Sequence, residues 1–198
     1  MNNPYILVLF YSRYGATKAL AEAIAQGIES EGLQARIRTV PPVHAATEPA
    51  IDSIPKDGPL YATLDDLTHC AALALGSPTR FGNMGAPLKA FLDTTGGLWQ
   101  NGALINKPAC VFTSTQSLHF GQETTLISMM IPLFHHGMLM VGIPPNVSAL
   151  FETKTGGTPY GATHVANTPE RGLDKQEMEC ALAQGKRLAF VTKQMLGH

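Results

Sequence analysis

Six residues that follow the first apolar run of the chain have the composition of an anion-binding turn. Directly after the run Tyr5–Tyr11 come Ser12, Arg13, Tyr14, Gly15, Ala16 and Thr17. Two hydroxyls, together with the free amides of a helix N-terminus, suit a phosphate dianion. The alternative is an ordinary helix cap, in which Ser12 or Thr17 only satisfies the first turn. The spacing matches neither a Walker loop nor GxGxxG, which argues against a nucleotide triphosphatase and a Rossmann-type dinucleotide domain.

Two later apolar runs are followed by segments that could bind a flat ring. After Ala71–Gly76 the chain continues with Ser77, Pro78, Thr79, Arg80, Phe81, Gly82, Asn83, Met84 and Gly85. Backbone amides in such a loop can reach the carbonyls and nitrogens of a heteroaromatic ligand, and Phe81 supplies an apolar wall. The alternative is a turn before the next helix. The run Ala109–Ser114 leads into a third segment with Ser114, Thr115, Gln116, Ser117, Leu118, His119, Phe120 and Gly121.

A doubly wound α/β domain would bring these three segments together. The strands predicted from apolar runs are Tyr5–Tyr11, Ala35–Val40, Ala71–Gly76, Ala109–Ser114 and Met138–Ile143. Helical spacing of apolar residues runs from Thr17 to a stop at Gly32 and again over Asp174–Leu196, and Thr63–Asp66 has capping-box spacing. The alternation predicts a five-stranded parallel sheet with helices on both faces, in one domain over residues 1–198. Ligands of such sheets bind beyond the carboxyl ends of the strands, so one joint site is expected.

The composition favours a compact chain without a nucleic-acid partner. Hydrophobic residues make up 44% of the chain and the net charge is −1, which gives no basic field for a phosphate backbone. No stretch approaches the roughly 20 apolar residues that span a bilayer, and no secretory leader pattern is present, so a soluble, cytoplasmic protein is expected. The proline-rich stretch Pro41–Pro59 is predicted to be a surface loop. Cys70, Cys110 and Cys180 are predicted to be buried thiols rather than a redox pair or a disulfide framework.

Other reaction classes lack their motifs in this chain. GxSxG, HExxH, HxE with a later CxxC and the EF-hand loop are all absent, which argues against hydrolases and metalloenzymes. His135 and His136 are adjacent and would point in different directions from a helix, so no metal site is predicted. Trp99, the only tryptophan, follows two glycines and could be either a mobile pocket wall or an interface anchor.

Five segments carry a resemblance that covers essentially the whole chain. They are YSRYGAT (Tyr11–Thr17), GSPTRFGNM (Gly76–Met84), FLDTTGGLW (Phe91–Trp99), HHGM (His135–Met138) and GGTPYGAT (Gly156–Thr163). In this order and spacing they resemble the WrbA family of flavodoxin-like NAD(P)H:quinone oxidoreductases. The resemblance implies a flavodoxin-like fold, FMN as cofactor, NADH or NADPH as electron donor, a quinone as acceptor and a homo-tetramer.

The resemblance also implies how the cofactor would be held. Ser12–Thr17 would bind the FMN phosphate, with Tyr14 also placed to meet the nicotinamide. Within Pro78–Asn83, the residues that would line the isoalloxazine ring are Thr79, Arg80 and Phe81. Ser114–Gly121 would close over the flavin, and Gly157–Gly161 would belong to the rim.

Two further residues would act on the substrate side. Trp99 would face the quinone, and His135 would complete the flavin site from a neighbouring subunit's side of a shared pocket. The chain departs from the family pattern in one place: Phe120 precedes Gly121, and Leu118 and His119 add bulk, where the family is glycine-rich. A larger side chain there would change access to the flavin or the choice of substrate.

The implied reaction consists of two half-reactions at one site. NAD(P)H gives a hydride to flavin N5, and a quinone then takes two electrons, so ping-pong kinetics are expected, with the quinone proton supplied by His135 or water. Two other functions stay open. A flavodoxin-type electron carrier would also bind FMN, although a net charge of −1 gives little steering toward partners. A regulatory interaction protein is the second alternative, for which no DNA-recognition motif is visible.

Overall fold

A seven-stranded sheet organises the computed structural model, which describes residues 3–44, 52–168 and 171–197. The strands are β1 (Tyr5–Phe10), β2 (Gln34–Thr39), β3 (Ala72–Arg80), β4 (Asn83–Met84), β5 (Pro108–Thr115), β6 (Leu139–Met140) and β7 (Thr163–Val165). The main path runs β2-β1-β3-β5-β6, and all its pairings are parallel. With β4 set aside, this is the order of a flavodoxin-like doubly wound sheet, whose direction of winding reverses between β1 and β3.

Helices cover both faces of the sheet. They are α1 (Ala16–Ser30), α2 (Leu64–His69), α3 (Ala86–Asp93), α4 (Gly96–Gln100), α5 (Gln122–His135), α6 (Ala149–Glu152) and α7 (Lys175–Leu196). Side chains of β1 alternate between the two cores, as a pleated strand requires. Ile6, Val8 and Phe10 pack with α1 and α7, whereas Leu7 and Leu9 pack with residues of α2, α3 and α5. The predicted fold class is confirmed, but the sheet has seven strands instead of the predicted five, because the short strands β4 and β7 add to it.

Several local predictions are confirmed as well. The capping box at Thr63 is present, with the Thr63 side chain accepting from the Asp66 amide, and α7 begins at a second capping box on Asp174. The three cysteines are buried free thiols. The predicted loop Pro41–Pro59 contains no helix or strand over 41–44 and 52–59, and its residues 45–51 lie outside the described part of the chain.

The segment after Gly76 is not the loop that the sequence suggested. β3 continues through Arg80, and β4 returns antiparallel to it, with Arg80 opposite Asn83. The two residues between the strands, Phe81 and Gly82, have positive φ angles of 54° and 78°. Two consecutive residues with positive φ form the tight hairpin turn whose twist matches that of the strands. Asn-Gly or Asp-Gly is the usual signal for this turn, and Phe81-Gly82 does not carry it.

The outer edge of β5 also differs from the prediction. The strand expected over Met138–Ile143 is reduced to Leu139–Met140, which pairs only with the start of β5 at Pro108 and Ala109. The other end of β5 is taken by β7, which runs parallel to it at Thr113–Thr115. Two short strands therefore share one edge of β5. The chain leaves this edge at Gly142, which lies so close to the Pro159 carbonyl that a Cβ would not fit. The Ile143 amide donates a hydrogen bond to the same carbonyl.

Close helix packing fixes α7 on the sheet. Gly27 of α1 lies against the backbone of Leu182, and Gly185 of α7 lies against the carbonyl of Ile24. A Cβ at position 185 would lie 2.2 Å from that oxygen, a distance that only a shift of the helices could relieve. These two glycines therefore let the helices approach closely enough for α7 to reach the region of β7.

A buried carboxylate attaches β7 to the start of α7. The Glu177 side chain has no exposed surface. Its oxygens accept hydrogen bonds from the amides of Gly156 (3.0 Å), Val165 (2.9 Å) and Asp174 (3.0 Å) and from Nδ1 of His164 (2.8 Å). Burial alone would raise the pKa of Glu177, but the hydrogen bonds from His164, Val165 and Asp174 outweigh it and lower the pKa to about 2. The ionised carboxylate is thus built into the native state.

The low pKa of Glu177 makes stability depend on pH. A carboxyl whose pKa falls from 4.5 to about 2 on folding stabilises the protein fully above pH 4.5 and loses that contribution as the pH drops through 2. We expect urea unfolding to show a loss of about 3 kcal/mol across this window. In Glu177→Gln this step should vanish, and the protein should be less stable at pH 7.

The matched control for that experiment is Glu152→Gln, which removes an exposed carboxylate on α6. This variant should keep the full pH step of the parent protein. A Glu177→Gln variant that retained the step would contradict the assignment of the pH dependence to Glu177.

Candidate functional site

A cleft of about 750 Å³ opens at the carboxyl ends of β1, β3 and β5. All three segments singled out in the sequence contribute to it, as the winding of the sheet requires. The predicted residues that line it are Ser12, Arg13, Tyr14, Ala16, Thr17, Pro78, Thr79, Arg80, Phe81, Gly82, Ser114, Thr115, Gln116, Phe120 and Gly121. The structure therefore brings the three segments into one cavity.

Five predicted residues of the same segments do not line this cleft. Gly15 faces a neighbouring cavity behind the first segment, and Asn83 lines two cavities on the far side of the hairpin. Ser117, Leu118 and His119 lie in the third segment without lining the cleft. The Ser117 carbonyl accepts a hydrogen bond of 2.8 Å from Thr115 Oγ1, which folds this segment back on itself.

The segment after β1 presents the free amides of a helix N-terminus. The N-cap of α1 is Gly15, in a left-handed conformation with φ 91°, and no side chain caps the helix. The Ser12 hydroxyl bonds to the Gly15 amide at 3.1 Å, and Thr17 Oγ1 lies 2.8 Å from Ser114 Oγ. Neither hydroxyl caps the helix, so the plain-cap interpretation is wrong. The first-turn amides and the dipole of α1 thus make this end of the cleft suitable for an anion.

The segment after β3 supplies an aromatic wall. Phe81 stands at the hairpin turn with its side chain fully exposed. Thr79 Oγ1 accepts from the Gly82 amide at 3.2 Å and lies 2.8 Å from Thr125 Oγ1 on α5. The hairpin is therefore held while the phenyl ring stays free to contact a ligand.

The segment after β5 meets that hairpin through glycines. Gly121, the N-cap of α5, has φ 82°, and a Cβ on it would lie 3.1 Å from the Gly82 Cα. Thr125 Oγ1 lies 2.6 Å from the Gly121 carbonyl, which links α5 to the same junction. Phe120 lines the cleft and is more than half exposed. The bulk noted in the sequence therefore does lie at the cleft.

Sequence reasoning missed a fourth wall of the cleft. Ala166, Asn167 and Thr168 line it directly after β7. β7 pairs with the carboxyl-terminal half of β5, so its own end lies at the same edge of the sheet. After GGTPYGAT the sequence offers only the apolar pair Val165-Ala166, which is too short to identify a strand.

Trp99 and His135 lie in a second cavity of about 510 Å³ and not in the cleft of their own chain. Trp99 belongs to α4 and is more than half exposed, and His135 is the last residue of α5. Lys89, Asn83 and Met84 also line this cavity. Within one chain, the two residues expected to act on the substrate are thus separated from the residues expected to hold the flavin.

His136, beside His135, is a buried histidine that donates a hydrogen bond to Thr95. Its Nε2 lies 2.9 Å from Thr95 Oγ1, whose own hydroxyl donates to the Leu92 carbonyl at 2.7 Å. The Thr95 hydroxyl can therefore only accept a hydrogen bond from His136, which means that Nε2 of the neutral ring is protonated and Nδ1 is not. Burial, and next the adjacent His135, lower the pKa of His136. Nδ1 has no hydrogen-bond partner within the described residues, so the only N–H of the neutral His136 ring is engaged with Thr95.

Two further features bear on the class of protein. No group of three or more His, Cys, Asp or Glu residues suited to a metal ion occurs over residues 3–44, 52–168 and 171–197. Within the same ranges, no helix is both long and apolar enough to cross a membrane.

Comparison with known proteins gives consistent results. The model of the family described as NADPH-dependent FMN reductase matches residues 6–150. A protein named NAD(P)H dehydrogenase (quinone) from Solidesulfovibrio magneticus is 39% identical over 96% of this chain and 98% of its own.

Solved structures resemble the fold over nearly the whole chain. A WrbA-like flavodoxin from Agrobacterium tumefaciens has a TM-score of 0.68 at 23% identity, covering 97% of this chain and 99% of its own. A flavodoxin from the domain Archaea has a TM-score of 0.64 at 20% identity, covering 96% and 99%. The fold and family expected from the sequence are thus confirmed: the chain belongs to the NADPH-dependent FMN reductase family of flavodoxin-like oxidoreductases.

Proposed function

We propose that this chain is an FMN-dependent NAD(P)H:quinone oxidoreductase that carries two electrons to a quinone in a ping-pong reaction. The observation that carries the proposal is the joint cleft at the β1–β3 reversal, with an uncapped helix N-terminus and an exposed aromatic in one cavity. The family and the name of the 39% identical relative support the same activity. FMN, when bound, accepts a hydride from the nicotinamide and passes two electrons on.

The residues of the cleft fit an FMN. The amides at the start of α1, with Ser12 and Thr17, would hold the phosphate, since they offer donors and the positive end of a helix dipole. Thr79, Arg80 and Phe81 would line the isoalloxazine ring. No carboxylate lines the cleft among the described residues, so a dianion meets no repulsion there. Phe120 and the missed wall at Ala166–Thr168 would limit access to the ring.

We propose further that the enzyme is a homo-tetramer in which a neighbouring subunit completes each site. Ile127, Ile131 and Phe134 are exposed on α5 at the spacing of one helix face, and they lie next to His135. Covering this face with a second copy would bury apolar surface and could bring Trp99 and His135 to the partner's cleft. His135 would then supply the quinone proton, because His136 carries its only proton toward Thr95. A cytoplasmic location agrees with the three free thiols.

The decisive experiment is anaerobic mixing of the FMN-reconstituted protein with NADH or NADPH, followed by benzoquinone. We expect the flavin absorbance to bleach with one equivalent of donor and to return with one equivalent of benzoquinone. Initial rates should give parallel lines in double-reciprocal plots, as two half-reactions at one site require. If neither donor bleaches the flavin while a chemical reductant does, the electron-carrier alternative takes the place of the proposal.

A substitution at Thr17 tests the phosphate end of the cleft. Thr17→Val keeps the shape of the side chain but removes the hydroxyl, which leaves Ser114 without its partner at 2.8 Å. We expect the dissociation constant of FMN to rise about tenfold, the value of one hydrogen bond to a charged group. Fluorescence quenching during titration of FMN measures it. Thr68→Val on α2, which removes an exposed hydroxyl bonded only to Leu64, should leave FMN affinity unchanged.

A substitution at Trp99 tests the substrate side. Trp99→Ala should raise the KM for benzoquinone about fivefold, the contribution of one aromatic contact, and should change FMN affinity much less. Phe151→Ala removes another exposed aromatic, on α6, and should leave both values unchanged. An unaltered KM in Trp99→Ala, or an equal loss of FMN affinity, would contradict the role of Trp99 as a substrate wall.

A further inference from the structure

A third cavity, distinct from the one that Trp99 lines but also of about 510 Å³, adjoins the proposed FMN cleft. Arg13 and Arg80 line both this cavity and the cleft, so these two side chains form a wall that the two spaces share. Beyond them, the third cavity extends over the end of the hairpin to the start of α3, where Lys89 and Tyr11 complete its wall. The proposed function assigns no role to Lys89.

The lining of this cavity is strongly cationic in a chain that is nearly neutral. Arg13, Arg80 and Lys89 all face it, and no carboxylate lines it among the described residues. The net charge of the chain is −1, so this local excess does not follow from composition. A cavity whose charged side chains are all positive attracts anionic ligands.

The cations near the cleft are available for a ligand. Within the described ranges, no Asp or Glu lies within ion-pair distance of Arg13 or Arg80. Arg80 bonds to the Thr79 carbonyl, and Arg13 lies over the Tyr14 ring at 5.3 Å. Lys89 pairs with Asp93 at 2.5 Å, but both side chains are more than half exposed, and such surface pairs contribute little. A lysine ammonium has three donors, so a phosphate could share Lys89 with Asp93.

We propose that this cavity binds a phosphate of the nicotinamide donor, with Lys89 as its outer cation. The inference rests on the proposed function, because a donor that reduces the flavin must place its nicotinamide at the ring, next to Arg80. The rest of the dinucleotide then has to leave the cleft, and the adjoining cavity on the other side of Arg13 and Arg80 offers its phosphates a cationic lining. Lys89 is thus a binding residue for the donor.

Two phosphates of the donor could provide this chemistry. The pyrophosphate is common to NADH and NADPH, whereas the 2′-phosphate belongs to NADPH alone. The two sources predict different results for one substitution, because only the first affects both dinucleotides.

The test is Lys89→Gln in the FMN-loaded protein, with binding of NADP⁺ and NAD⁺ measured by calorimetry at low ionic strength. A loss of about tenfold in affinity for both dinucleotides supports the pyrophosphate as the bound group, and a loss for NADP⁺ alone supports the 2′-phosphate. Lys186→Gln on α7, an exposed lysine on the opposite face of the sheet, is the matched control and should bind both as the parent does. Unchanged affinity for both dinucleotides in Lys89→Gln would overturn the proposal.

Two accompanying measurements separate this proposal from the proposed function. FMN affinity should be the same in Lys89→Gln and the parent, since Lys89 does not line the proposed FMN cleft; a parallel loss of FMN affinity would overturn the donor-specific role. If the parent binds the dinucleotides in a Lys89-dependent way but does not reduce benzoquinone, the cavity assignment stands and the quinone reductase assignment fails. If the parent reduces benzoquinone and Lys89→Gln binds both dinucleotides normally, the reverse holds.

Discussion

The main constraint on this chain is that its parallel strands all end at one edge of the sheet. At that edge each strand must turn into a helix or a hairpin, and the first amides of the following helices have no partner within the helix. α1 begins there without a side-chain cap, and α5 begins there at a left-handed glycine. Polar groups that would be costly in the core are tolerated at this edge because a ligand or water can satisfy them. The cleft is therefore a consequence of the winding of the sheet, and its chemistry follows from which residues stand at the turns.

The fourth wall of the cleft depends on how the edge of β5 is divided. β6 pairs with the start of β5 and leaves the remainder to β7, which brings Ala166–Thr168 into the cleft. Three residues cannot form a stable strand on their own, so β7 needs an anchor. Glu177 provides this anchor, because its fully buried carboxylate accepts hydrogen bonds from the Val165 amide and the His164 ring. Hydrogen bonds from three amides and a histidine ring offset the cost of burying the charge of this carboxylate, so a structural group that does not itself line the cleft helps to shape it.

The parts of the structure that the sequence predicted are those with strong periodicity. Tyr5–Tyr11, the helix that follows it and Asp174–Leu196 are long enough to show their pattern, and the turn chemistry after β1 is local. The short strands β4 and β7 were missed because two or three residues carry no period, and Phe81-Gly82 lacks the usual hairpin signal. The separation of Trp99 from the cleft could not be read from the chain either, since it depends on the packing of α4 and α5.

The positions of the charged side chains distinguish the proposed enzyme from a flavodoxin-type electron carrier better than the net charge of the chain does. Asp66 forms ion pairs with both Arg36 and Arg38 on β2, and Asp174 forms one with Arg171 near the start of α7. The charges of these three arginines are therefore neutralised by neighbouring carboxylates. The guanidinium groups at the cleft have no such carboxylate among the described residues. A carrier that docks on protein partners needs a broad field of one sign over its surface, whereas an enzyme for an anionic dinucleotide needs a few unneutralised cations beside its cleft. The chain is nearly neutral overall, and the guanidinium groups beside its cleft have no carboxylate partner within the described part of the chain, which meets the second requirement.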